Sequence, residues 1–152
     1  MKDPVIALLM GSKSDLEKVL PAEEILGKIG VKVITAAISA HRQPEKLRDF
    51  MRSAPSQGVE VFIAAAGMAA HLPGVVASMT TLPVIGLPIS TPQLGGLDAL
   101  LSIVQMPRGV PVATVAIDGA VNAALLACSI LALKYEKVAQ ALQAYREEMA
   151  ER

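Results

Sequence analysis

The chain of 152 residues has no tryptophan, two histidines, one cysteine and aromatic residues at only 3%. A lone cysteine, Cys128, excludes an internal disulfide. Set in the apolar run AALLACSILAL, it reads as a reduced core thiol. The few aromatic rings (Phe50, Phe62, Tyr135, Tyr145) exclude a base-stacking platform for single-stranded nucleic acid. None lies in a strand-end loop where it could stack on a flavin. Basic and acidic residues balance at 14 each, so the electrostatic footprint of a nucleic-acid binder is missing. No uninterrupted apolar stretch reaches the ~18 residues of a membrane helix. The opening MKDPVIALLM places Asp3 and Pro4 before a short apolar run, which is wrongly built for a signal peptide. Histidine, cysteine and carboxylates show no metal-ligand spacing, and there is no P-loop or dinucleotide fingerprint. These absences predict a cytoplasmic protein that binds no nucleic acid, membrane or metal.

What the chain has in plenty is apolar surface. Hydrophobic residues make up 53% and charged residues only 18%, against roughly 25% charged in an average domain. A domain this small has limited interior to hide the surplus, so part of its surface is expected to be buried against other subunits. The length suits one domain with a real core. No linker, low-complexity tract or internal repeat interrupts it, so residues 1–152 are read as a single domain.

Short apolar runs alternate with helical patterns. Strands are expected at 5–10, 31–37, 59–67, 82–89 and 110–117, with helices at 16–28, 44–51, 73–79, 96–104 and 120–133 between and after them. This alternation predicts an α/β fold with a five-stranded, mostly parallel sheet. Pro21 is expected to kink the first helix or delay its start. Toward the end, Leu131, Tyr135, Val138, Leu142, Tyr145 and Met149 form one narrow helical stripe, fit to pack on its own domain or on a neighbouring subunit.

In an open parallel sheet, ligands bind outside the carboxyl ends of the strands. Three loops there have unusual content. In MGSKSD (10–15), Gly11 permits a tight turn, Ser12 and Ser14 offer hydroxyls, and Asp15 can cap a helix whose free amides attract phosphate. In SAHRQP (39–44), His41 can give and take a proton near neutral pH. Arg42 offers a planar donor fork for phosphate or carboxylate, and Pro44 suits a first helical turn. In AAAGMAAHLPG (64–74), small side chains admit a ligand close to the backbone. There, His71 reads either as a second polar group of the site or, with a slight preference, as a helix-capping residue.

Together the motifs GSKSD, SAHR-x-P, AAHLPG, SIVQMPRGVPVATVAI (102–117) and NAALLA (122–127) run in order from about Val5 to about Leu133. The set resembles the N5-carboxyaminoimidazole ribonucleotide mutase family of purine biosynthesis, long called the catalytic subunit of phosphoribosylaminoimidazole carboxylase. The resemblance implies a flavodoxin-like three-layer sandwich, a homo-octamer with the last helix extending to a neighbouring subunit, and no metal, organic cofactor or ATP. It implies a nucleotide substrate whose carboxylate moves from the exocyclic nitrogen to ring carbon C4 through enclosed carbon dioxide. His41 matches the general acid and base. Ser12 and Arg42 match phosphate contacts, Asp15 the ribose contact, and Ser39 lies in the same motif. Ala66, Gly67, Ala69, Ala70, His71 and Leu72 match the wall around the base. Gln43 stands where threonine is usual, and Ala65 and Met68 where glycine is usual, so Met68 is expected to face either the ligand or the core. Two alternatives stay open: the sister carboxylase that uses free carbon dioxide, and a non-catalytic nucleotide-binding module. The arginine of SAHR and the MPRGVPV stretch favour the mutase.

Overall fold

Four of the expected apolar runs become strands within two residues of their expected ends. The computed structural model describes residues 2–151. Strands β1 (Val5–Met10), β2 (Lys32–Ala37), β3 (Val59–Gly67), β4 (Val84–Ile89) and β5 (Ala113–Thr114) form one sheet in the order β2-β1-β3-β4-β5. Every pairing is parallel. This is the flavodoxin-like order, whose crevice lies where the chain reverses direction across β1 and β3.

The central strands have no polar side because both faces are covered. Along β1, Ile6, Leu8 and Met10 enter one core, while Val5, Ala7 and Leu9 enter the other. The first core is closed by α1 (Leu16–Ile29), α5 (Ala120–Ala132) and the start of α6 (Glu136–Ala150). The second is closed by α2 (Pro44–Ser53), α3 (Leu72–Ser78) and α4 (Leu97–Val104). The result is the three-layer sandwich expected from the sequence.

Close packing appears at Gly86 on β4. A Cβ built there would lie 2.2 Å from Ile103 Cγ2 and 2.9 Å from Val112 Cγ1. Only glycine lets α4 rest this close to the sheet. A bulge in β3 skips Glu60, because Val5 pairs with Val59 and Ile6 with Val61. The skipped residue reaches Lys134 Nζ at 2.7 Å and accepts a hydrogen bond from the Tyr135 hydroxyl. The start of α6 is thereby tied to the amino end of the sheet.

Three expectations about elements change. The fifth strand, expected over 110–117, is a ladder of two residues, and Pro111, which has no N–H to donate, bars its extension toward residue 110. The later start expected for helix α1 is not seen: it begins at Leu16 and runs on through Pro21 to Ile29. It buries Val19, Ala22, Leu26 and Ile29. At about 1.5–3 kcal/mol for each large side chain, that burial outweighs the ~3 kcal/mol cost of an interior proline. The terminal stripe is split between two helices, with Tyr135 extended at the junction. Leu131, Tyr135 and Val138 are buried on the first core and Leu142 packs at its margin, whereas Met149 is 54% exposed.

Candidate functional site

The three loops singled out in the sequence converge at the carboxyl ends of β1, β2 and β3. They line one cleft of about 520 Å³. Other hollows are as large: a groove between α5 and α6 of about 570 Å³ and a hollow at the amino ends of the strands of about 930 Å³. Neither contains a histidine. The cleft holds both histidines of the chain, beside a guanidinium and three serine hydroxyls.

The first wall leaves β1 through Gly11, whose amide donates to Ala65 O at 3.0 Å. A single 3-10 turn at Lys13–Asp15 follows. Ser12 caps it, its hydroxyl accepting the Ser14 amide at 3.3 Å and meeting the Ser14 hydroxyl at 2.8 Å. Asp15 occupies the cap position of α1 but makes no capping bond. The expectation that it caps the helix is therefore corrected: the preceding turn keeps Asp15 in helical conformation, and the carboxylate lines the cleft. Burial pushes its carboxyl above the ordinary value, partly offset by hydrogen bonding with Ser12 and the Lys18 charge.

The second wall is a tight turn closed by its own side chains. Ser39 Oγ accepts the Arg42 amide at 3.1 Å and Arg42 Nε at 3.4 Å. Gln43 N donates to Ser39 O at 2.8 Å, and Gln43 Oε1 accepts the Ser39 amide at 3.3 Å. Gln43 thus acts as a latch on the loop, and Pro44 opens α2 at its first turn. Among the described residues the Arg42 guanidinium pairs with no carboxylate. It leaves a free cationic fork at the cleft rim.

The third wall follows β3. Ala66, Gly67, Ala69, Ala70, His71 and Leu72 all border the cleft. His71 stands at the cap position of α3, but its side chain makes no capping bond. Its ring instead stacks on His41 with centroids 4.7 Å apart. The slight preference for a capping role is therefore corrected, since the imidazole faces the cleft and its partner is the other histidine. Met68 also borders the cleft and is 57% exposed, which settles its direction against the core.

Every candidate ligand contact from the three loops borders the cleft: Ser12 and Asp15, Ser39, His41 and Arg42, and the stretch from Ala66 to Leu72, whereas Gln43, Pro44 and Ala65 do not line it. One lining residue was missed. Thr91, just after β4, borders the cleft, and its hydroxyl oxygen is buried with no partner among the described residues. Its position level with the ends of β1 and β3 was the available signal. The described residues contain no group of three or more histidine, cysteine and acidic side chains placed to hold a metal. No helix among them is long and apolar enough to cross a membrane.

Residues 5–152 match the family model described as AIR carboxylase. The chain is 55% identical over 146 residues to the N5-carboxyaminoimidazole ribonucleotide mutase of Saccharolobus solfataricus, covering 96% of this chain and 92% of that protein. It is 53% identical over 145 residues to the mutase of the same name from Methanocaldococcus jannaschii, with 95% and 90% covered. The crystal structure of Treponema denticola PurE superposes with a TM-score of 0.90 at 28% identity, covering 97% of this chain and 92% of that one. Fold, cleft and sequence agree, and the chain belongs to the AIR carboxylase family.

Proposed function

We propose that the chain is an N5-carboxyaminoimidazole ribonucleotide mutase of purine biosynthesis, an isomerase that moves a carboxylate within one nucleotide. The observation that carries this reading is the placement of His41 between the serine and arginine rim and a wall of small side chains, in a chain 52–55% identical to proteins of that name. Ser12 and the unpaired Arg42 suit the phosphate, and Asp15 and Ser39 the sugar side of the cleft. The stretch from Ala66 to Leu72 suits the flat base.

The chemistry follows from these positions. The bond between the exocyclic nitrogen and the carboxylate carbon breaks, its electron pair stays on nitrogen, and His41 delivers one proton there. Carbon dioxide is left beside the ring. Ring carbon C4 attacks it, and His41, now a base, removes one proton from C4. One proton enters and one leaves, so the balance closes without ATP. Holding carbon dioxide against the ring replaces a bimolecular encounter with a positioned one. Excluding water prevents its loss by hydration. A positioned imidazole contributes on the order of 10²–10⁴ in rate.

The exposed apolar residues support an oligomer, read here as a homo-octamer. Leu97, Leu101 and Val104 form a stripe on the open face of α4, 53%, 49% and 46% exposed. The exposed far end of α6 at Met149 suits contact with a neighbouring subunit. A single sheet closed on both faces fits one catalytic domain, working in the cytoplasm.

The test supplies the N-carboxylated nucleotide without bicarbonate or ATP. Formation of the C4-carboxylated product supports the mutase. Product formed only from aminoimidazole ribonucleotide and dissolved carbon dioxide would assign the sister carboxylase. Tight nucleotide binding with no product under either condition would leave a binding module.

A further inference from the structure

Among the described residues, two other than glycine adopt left-handed backbone conformations, Met68 and Asp118, both with φ of 57°. An L-residue there costs roughly 1–2 kcal/mol, and aspartate tolerates it better than most. Asp118 is also compensated: its Oδ1 accepts the Ser90 amide at 2.9 Å, and its Oδ2 lies 3.5 Å from Lys18 Nζ. Met68 has no such anchor. Its carbonyl accepts the Ala70 amide at 2.8 Å, a bond that any residue in this turn would make. Glycine would adopt the turn without the steric cost.

Met68 carries a second unfavourable feature. Its side chain is 57% exposed and belongs to neither core, so its thioether arm stands in water instead of being buried. The arm borders the cleft, on the same loop as Ala69, Ala70 and His71. Strain and apolar exposure at one residue of a cleft wall call for a functional account.

The chemistry of the guest supplies one. Carbon dioxide is small and carries no net charge or hydrogen-bond donor, so polar side chains hold it poorly. It is retained by being walled in. Three of the wall's members, Ala66, Ala69 and Ala70, are too short to close over a ligand. Methionine is long, flexible and polarizable, and fits irregular gaps. We propose that Met68 is the retaining cap of the cleft: its side chain folds over the bound nucleotide and keeps carbon dioxide from escaping between bond cleavage and recapture. The cap takes no part in proton transfer, and it rests on the mutase reading above.

The experiment measures how each turnover divides. Wild type, Met68→Gly, Met68→Ala and Met68→Leu receive the N-carboxylated nucleotide in 13C-bicarbonate with carbonic anhydrase. The readouts are 13C in the C4-carboxylated product and free aminoimidazole ribonucleotide released above the enzyme-free rate. Wild type is expected to keep its own carbon. Met68→Gly and Met68→Ala should raise both readouts at least fivefold, and Met68→Leu should restore retention to within twofold of wild type. Thermal unfolding separates this from loop damage, because Met68→Gly relieves the turn and should not lower the midpoint. Unchanged division in both truncated variants, with wild type active, overturns the cap alone. A wild type that makes no product without added bicarbonate overturns the mutase reading itself.

Discussion

The rings of His41 and His71 stack with centroids 4.7 Å apart and planes inclined by 27°. They come from separate loops, one after β2 and one after β3, and bring the only two imidazoles of the chain into face-to-face contact. Both side chains belong to exposed residues, so the contact lies at the cleft and outside the core. A ring packed on one face keeps its edge nitrogens open to a ligand. In the proposed mechanism, His71 thereby limits the directions in which His41 can aim its proton.

Replacing His41 with asparagine should lower kcat by at least 10³ while the thermal midpoint moves by no more than about 2 °C, since an exposed side chain carries little stability. His71→Ala should cost less, about tenfold in kcat/KM, because it removes the ring that orients the catalytic one. Steady-state rates and thermal scans on the two variants check both statements. Equal losses from the two substitutions would contradict the division of roles.

The Lys18–Ser90–Asp118 cluster should give a pH-dependent contribution to stability. Lys18 Nζ donates to Ser90 O at 2.9 Å and to Ser90 Oγ at 2.6 Å, and Asp118 completes the network. Burial opposes charge on Asp118, but hydrogen bonds from Ser90 and the Lys18 ammonium outweigh it and hold the carboxyl below its ordinary value. A lowered folded-state value means the contribution is present above the unfolded carboxylate range and is lost as pH falls through the folded value. Lys18 and Asp118 are each 39% exposed, so screening keeps the ion pair's share of the effect small. Asp118→Asn, which tolerates the same backbone, should cost about 1 kcal/mol at pH 7 and less at pH 2. Urea midpoints at the two pH values decide it, and an equal gap at both would contradict the charge argument.

Cys128 should be silent toward alkylating reagents in the folded protein. Burial pushes its thiol up to about 12, and the residue has no exposed surface. Iodoacetamide at pH 8 is expected to add one equivalent in denaturant and none without it, read by intact mass. Labelling of the folded protein within minutes would show that α5 opens far more readily than its packing implies.

Gly86→Ala should destabilise the protein by about 1–3 kcal/mol through overpacking against Ile103 and Val112. Adding Ile103→Ala, which removes the Cγ2 methyl that faces the new Cβ, should cost less in that background than in the wild type. Chemical denaturation of the single and double variants tests the pairing, and strict additivity would place the strain elsewhere.

Much of this was legible in the chain. β1, β3 and β4 are buried on both faces, so each appears as an apolar run bounded by glycine, proline or serine, broken only by Glu60 at the bulge of β3. Two of the site loops were legible for the same reason, since they follow such runs, and the third follows the half-exposed edge strand β2; all three hold polar residues where a core would have none. What escaped depends on facts that composition does not carry. The late start of β5 depends on the N–H that Pro111 lacks. The persistence of α1 through Pro21 depends on how much its neighbours bury. The direction of Met68 depends on a backbone angle, and the inclusion of Thr91 on β4 ending level with β1 and β3.

The three walls of the cleft are all encoded before residue 73, whereas α5, which covers much of one sheet face, begins at Ala120. During synthesis, the ligand loops therefore emerge well before the helix that shields Val61, Ile63 and Ala65 of β3. A nascent chain of about 100 residues carries every side chain that lines the cleft, on a sheet with one flank still unshielded. That interval is the window in which chaperones and aggregation compete for it.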